Sequence, residues 1–64
     1  MRQEIFDNLT AAVKAAYVWS KMNSGKVFII YAHGHYYVQD AEPELSVLQE
    51  IIAVYESGLM VKGL

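Results

Sequence analysis

The residues with the most obvious chemical potential are His33 and His35, separated only by Gly34. Two imidazoles two residues apart can share a zinc, copper or nickel ion, with Asp40 or Glu42 supplying a carboxylate. A turn between the histidines would point them apart, however, and spacing places no third ligand. The plainer reading makes His33 an exposed turn residue and His35 the strand-end partner of Ala32. His33 and His35 stand as weak metal candidates, and no metal or other cofactor is expected.

A second set is aromatic. Tyr17, Tyr31, Tyr36, Tyr37 and Tyr55, with Trp19, offer rings on which bases of a single strand could stack. Such a platform needs a basic groove for phosphates, and the chain has five basic residues in all. Lys14, Lys21 and Lys26 would have to supply it, which leaves a nucleic-acid-binding regulatory module as the alternative reading. Tyrosine and tryptophan are also the residues enriched at protein interfaces, where the ring buries area and its polar tip stays satisfied. On that ground Trp19, Tyr31, Tyr36, Tyr37 and Tyr55 are the expected contact residues of a protein-binding surface.

Catalysis has no signature. Ser20, Ser24, Ser46 and Ser57 stand in no recognisable relation to a histidine and a carboxylate. Glu42 and Glu44 fall where a helix would begin, and acidic residues there are ordinary complements of the helix dipole. Gly25, Gly34, Gly58 and Gly63 sit at expected element boundaries rather than in a phosphate loop. The chain is not expected to be an enzyme.

The elements that would position these residues centre on Val27 to Gln39. Two runs of β-branched and aromatic residues flank His33-Gly34, and Gly34 can take the positive φ of a tight hairpin turn. Strands are expected at about 26–32 and 35–39. A two-residue turn sets Ala32 opposite His35, Tyr31 opposite Tyr36, Ile30 opposite Tyr37 and Ile29 opposite Val38. One face then carries Val27, Ile29, Tyr31, Tyr36 and Val38. The other carries Phe28, Ile30, Ala32, His35, Tyr37 and Gln39. Both faces are apolar, so something must cover each.

Ahead of the hairpin, Ile5, Phe6, Leu9, Ala12, Val13, Ala16 and Trp19 recur at three- and four-residue steps, which predicts a helix over about 2–23 closed by Asn23-Ser24-Gly25. After it, Pro43 suits a helix start, and Leu45, Leu48, Ile51, Ile52 and Tyr55 form a stripe, which predicts a second helix over about 43–57. The rival is a second hairpin, Ile51 to Tyr55 with Leu59 to Lys62, around Glu56-Ser57-Gly58. The stretch 59–62 is apolar enough to add a short edge strand or reach a partner. The expected architecture is therefore α+β, helix – β-hairpin – helix, in one domain spanning 1–64.

Size bears on association. Below roughly 70–80 residues a lone core seldom supplies more than about 3–5 kcal/mol. The chain has 64 residues and no cysteine, so disulfides cannot help, while 55% of it is hydrophobic. Unusually good packing or self-association remains; the hydrophobic content favours the second, and a homodimer is expected, either with a second copy covering a hairpin face or with two hairpins pairing edge to edge. The net charge of −2 is split unevenly, with three basic against two acidic residues in 1–24 and one against four in 41–64. That imbalance is too small to mark a nucleic-acid or membrane surface. No apolar run resembles a signal peptide or a membrane span, so the protein is expected to be cytoplasmic. With its own Met1 the chain reads as a stand-alone small gene product of the kind common in bacteria and phages.

Overall fold

The computed structural model describes residues 3–22, 25–43 and 49–63. The elements run β1 (Gln3–Phe6), α1 (Leu9–Met22), β2 (Lys26–Ala32), β3 (His35–Gln39), β4 (Gln49–Glu56) and β5 (Leu59–Lys62). The strands form one antiparallel sheet in the order β1-β3-β2-β4-β5. This is a small α+β domain. It is not the helix–hairpin–helix arrangement that the sequence periodicity suggests.

The β2–β3 hairpin sits at the centre because its turn fixes it. His33 and Gly34 both take positive φ, 54° and 78°, the signature of a primed turn whose twist matches that of the strands. The register follows from the two-residue turn, with Ala32 opposite His35, Tyr31 opposite Tyr36, Ile30 opposite Tyr37 and Ile29 opposite Val38. A histidine in the left-handed region is strained, whereas asparagine enters it readily. His33→Asn should therefore stabilise the protein by a few tenths to about 1 kcal/mol, read as a higher urea midpoint. A lower midpoint would mean that the imidazole contributes something the turn does not explain.

Both edges of this hairpin are occupied by the chain itself, β1 on β3 and β4 on β2. The expected edge-to-edge pairing of two hairpins therefore has no free edge at β2 or β3. Since β1 and β2 both run antiparallel to β3, they are parallel to each other, and α1 carries the chain across the strand between them. That crossing lays α1 on one face of the sheet.

The helix begins later than the apolar spacing predicts. Asn8 accepts the Ala11 N–H through Oδ1 at 2.8 Å, an N-cap that starts the helix at Leu9. Gln3–Phe6 instead pairs with β3 as an edge strand. Ile5 and Phe6 had continued the helical spacing by coincidence, but they lie before the cap. Within α1, Ala12 and Ala16 are fully buried. Their small side chains let the helix settle on Val27, Ile29, Val38, Ala53 and Tyr55, with Trp19 closing the far end of the cluster.

The second expected helix is also corrected, since Gln49–Glu56 is a strand that pairs along β2. The rival hairpin is the observed one, with a turn at Ser57 and Gly58 whose φ values are 54° and 80°. A β-bulge explains the misleading stripe. Ile29 opposes Ala53 but Ile30 opposes Ile51, so Ile52 is an extra residue. It packs beside Ala53 against the helix-side core. One inserted residue breaks the alternation of a strand and imitates helical spacing. The first part of the expected helix, residues 44–48, lies outside the described residues.

The second face of the sheet has its own buried cluster, Phe28, Ile30 and Val54, flanked by Tyr37 and Ile51. At the sheet's lower end Gln3 donates to Gln39 Oε1 at 2.7 Å, and Gln39 donates to the Ala41 carbonyl at 2.7 Å. Among the described residues, no helix is long and apolar enough to cross a membrane.

Candidate interaction surface

The two histidines face different neighbours. His33 lines a 230 Å³ cleft on the second face with Gln49 and Tyr37. His35 Nδ1 lies 3.2 Å from Asp7 Oδ1, which joins the hairpin tip to the β1–α1 junction. Among the described residues, no three histidine, aspartate or glutamate side chains converge as a metal would need.

The expected contact residues divide. Trp19 and Tyr55 are buried in the core beneath α1, which removes them from any surface. Their polar tips had suggested an interface, but a small sheet covered by an alanine-rich helix needs large rings to fill its ends. Tyr37 is half-buried on the second face against the Phe28 cluster. Tyr31 and Tyr36 remain accessible in part, on the helix side of the sheet. Their ring centroids are 5.1 Å apart and the planes tilt by 53°.

The three lysines of the nucleic-acid reading are not brought together. Lys14 and Lys21 lie on the exposed side of α1. Lys26 is on the other face of the sheet, directly opposite Glu56 and beside a 380 Å³ cleft with acidic residues on its rim. Lys21 is already engaged, its Nζ 5.0 Å from the Tyr17 ring centroid and donating to the Tyr17 hydroxyl at 3.3 Å.

The exposed apolar side chains gather elsewhere, along β5. Leu59 is 69% exposed, Met60 46% and Val61 54%, on a strand that ends the sheet. The flank of α1 nearest to it carries Tyr17, 44% exposed, with Lys21. Both side chains lie beside the Ser57-Gly58 turn, since a Cβ on Gly58 would meet Lys21 Cγ at 2.7 Å and Tyr17 Cε1 at 3.7 Å. The turn is fastened there by Ser20, whose buried Oγ donates to the Tyr17 carbonyl and accepts the Gly58 N–H, each at 2.9 Å.

Side chains leave β5 on both faces. Met60 opposes Tyr55 and so shares the helix side, while Val61 walls the 380 Å³ cleft floored by Phe28, Ile51 and Val54. A second bulge, where Lys62 opposes Val54 and Met60 opposes Tyr55, leaves Val61 as the extra residue. Bulged edges are poor templates for adding a strand, so this surface offers side-chain contact more than a free ladder. The apolar run 59–62 was visible in the sequence. Tyr17, weighed in the sequence for base stacking, was left out of the expected protein contacts, and its sequence signal there is the four-residue step to Lys21 on the helix.

The chain matches no family model, no curated protein and no solved structure.

Proposed function

We propose that this protein is a small cytoplasmic interaction module, not an enzyme, that works as a homodimer and docks through β5 and the Tyr17 flank of α1. The observation that carries the reading is the run of three consecutive large apolar side chains, Leu59, Met60 and Val61, at about half exposure or more on the terminal strand. Large apolar side chains exposed on both faces of one edge strand mark a surface that something covers. A second copy is the occupant that fits best, because the chain is short, lacks cysteine and is rich in hydrophobic residues. The two-fold axis of a dimer would bring the same patch from each copy together. Tyr17, held by Lys21, supplies a rigid aromatic anchor of the kind that dominates such contacts.

Sedimentation equilibrium over a wide concentration range tests this. The wild type is expected to be a dimer at micromolar concentration. Met60→Glu should raise the dissociation constant by at least about tenfold, since it places two like charges across the axis. Tyr31→Ser should leave it unchanged. A wild type that stays monomeric at high concentration, or a Met60→Glu variant that dimerises normally, overturns the reading.

A further inference from the structure

We infer that the 380 Å³ cleft on the second face of the sheet binds a free α-amino acid with a large apolar side chain. The strand register sorts its lining into rows. Lys26 lies opposite Glu56, and Phe28, two residues on, lies opposite Val54. Opposed residues share a face, and so do residues two apart on one strand. A row of one ammonium and one carboxylate therefore adjoins an apolar row, both on the face away from α1. Ile51 continues the apolar floor, and Val61 on β5 walls it. Phe28 and Val54 are each only 6% exposed, so the floor is held by its own packing before any ligand arrives.

Charge complementarity names the ligand. Lys26 and Glu56 face each other across adjacent strands, yet among the described residues neither makes an ion pair. Glu42 and Lys62 stand on the same rim, also without one among the described residues. Two positive and two negative groups leave the lining neutral in sum, which favours neither a phosphate nor a polyamine.

An α-amino acid carries an ammonium and a carboxylate on one carbon, the same adjacency that Lys26 and Glu56 present. Its carboxylate meets Lys26, its ammonium meets Glu56, and its side chain lies along the Phe28–Val54 row. A peptide holds those two charges at opposite ends, so the paired head groups select the free amino acid. A branched or aromatic side chain suits a floor built of apolar side chains.

The test is an amide NMR titration of the full chain with L-leucine and L-phenylalanine, with glycine and L-leucinamide in parallel. Saturable shifts centred on Lys26, Val54 and Glu56 are expected at millimolar leucine or phenylalanine. Glycine keeps both charges but has no side chain to bury, and should bind about tenfold more weakly than leucine. Leucinamide loses the carboxylate and should bind about two- to fivefold more weakly, the usual worth of an exposed ion pair. Lys26→Gln and Glu56→Gln should each weaken leucine binding by about the same two- to fivefold.

Glycine or leucinamide binding as well as leucine, leucine shifts that survive both substitutions, or no saturable shift with either apolar amino acid would overturn the inference. So would shifts in this row that follow protein concentration instead of ligand, which would mark a second copy in the cleft. The titration reads small-molecule binding and sedimentation reads self-association, so either proposal can fail without the other.

Discussion

Trp19→Ala is expected to leave the protein largely unfolded at 25 °C. Trp19 is 6% exposed and packs with Ala16, Val27 and Tyr55 in the helix-side core. Truncating a buried tryptophan costs about 3–5 kcal/mol in lost transfer energy and residual cavity, which is comparable to the whole stability that a core of this size provides, about 3–5 kcal/mol. The neighbours cannot close the gap, because Ala12 and Ala16 carry only methyl groups, too short to extend into it. Tyr31→Ala should behave differently. It removes a part-exposed ring and one aromatic pair, worth about 0.5–1.5 kcal/mol, and the protein should stay folded. Far-ultraviolet circular dichroism with urea titration separates the two. If Trp19→Ala unfolds no more easily than Tyr31→Ala, the assignment of Trp19 to the core is wrong.

This contrast also marks where the sequence is legible and where it is not. His33-Gly34 fixes the central register because a two-residue primed turn leaves the flanking strands no choice. The later segment was ambiguous for a physical reason. Ile52 bulges from β4 and packs on the same side as Ala53, so the period of two fails there and a helical stripe emerges. The start of α1 turned on a cap, since Asn8 could be seen as an N-cap only by setting aside the apolar spacing that ran on through Ile5 and Phe6. For the site, residue type was a poor guide. Trp19 and Tyr55 carry the chemistry of interface residues, yet burial depends on which strand or helix face they occupy. Leu59, Met60 and Val61 look like core residues, and they are exposed because β5 is a bulged terminal strand.

Ser20→Ala is expected to loosen β5 without touching its surface. The Ser20 side chain is fully buried, and its one hydroxyl serves two groups, donating to the Tyr17 carbonyl and accepting the Gly58 N–H. The first is an ordinary bond back along the helix, so its loss should matter little. The second is a polar tie between α1 and the β4–β5 turn, and without it the Gly58 N–H loses its partner beside a packed helix. Such a loss costs about 1–3 kcal/mol. Local opening governs amide exchange, so the Gly58 amide should exchange roughly ten- to a hundredfold faster, while amides of β2 and β3 change less. Ser20→Thr restores the acceptor but forces a methyl into a filled space, which costs about 1–3 kcal/mol by overpacking. It should therefore lower global stability while protecting Gly58 relative to Ser20→Ala. Unchanged exchange at Gly58 in Ser20→Ala would show that the turn is held by something else. Because Leu59, Met60 and Val61 follow directly on this turn, the same variant should also weaken dimerisation. A buried hydroxyl on the helix would then set how firmly the apolar strand is presented, and the sedimentation constant of Ser20→Ala should fall between those of the wild type and Met60→Glu.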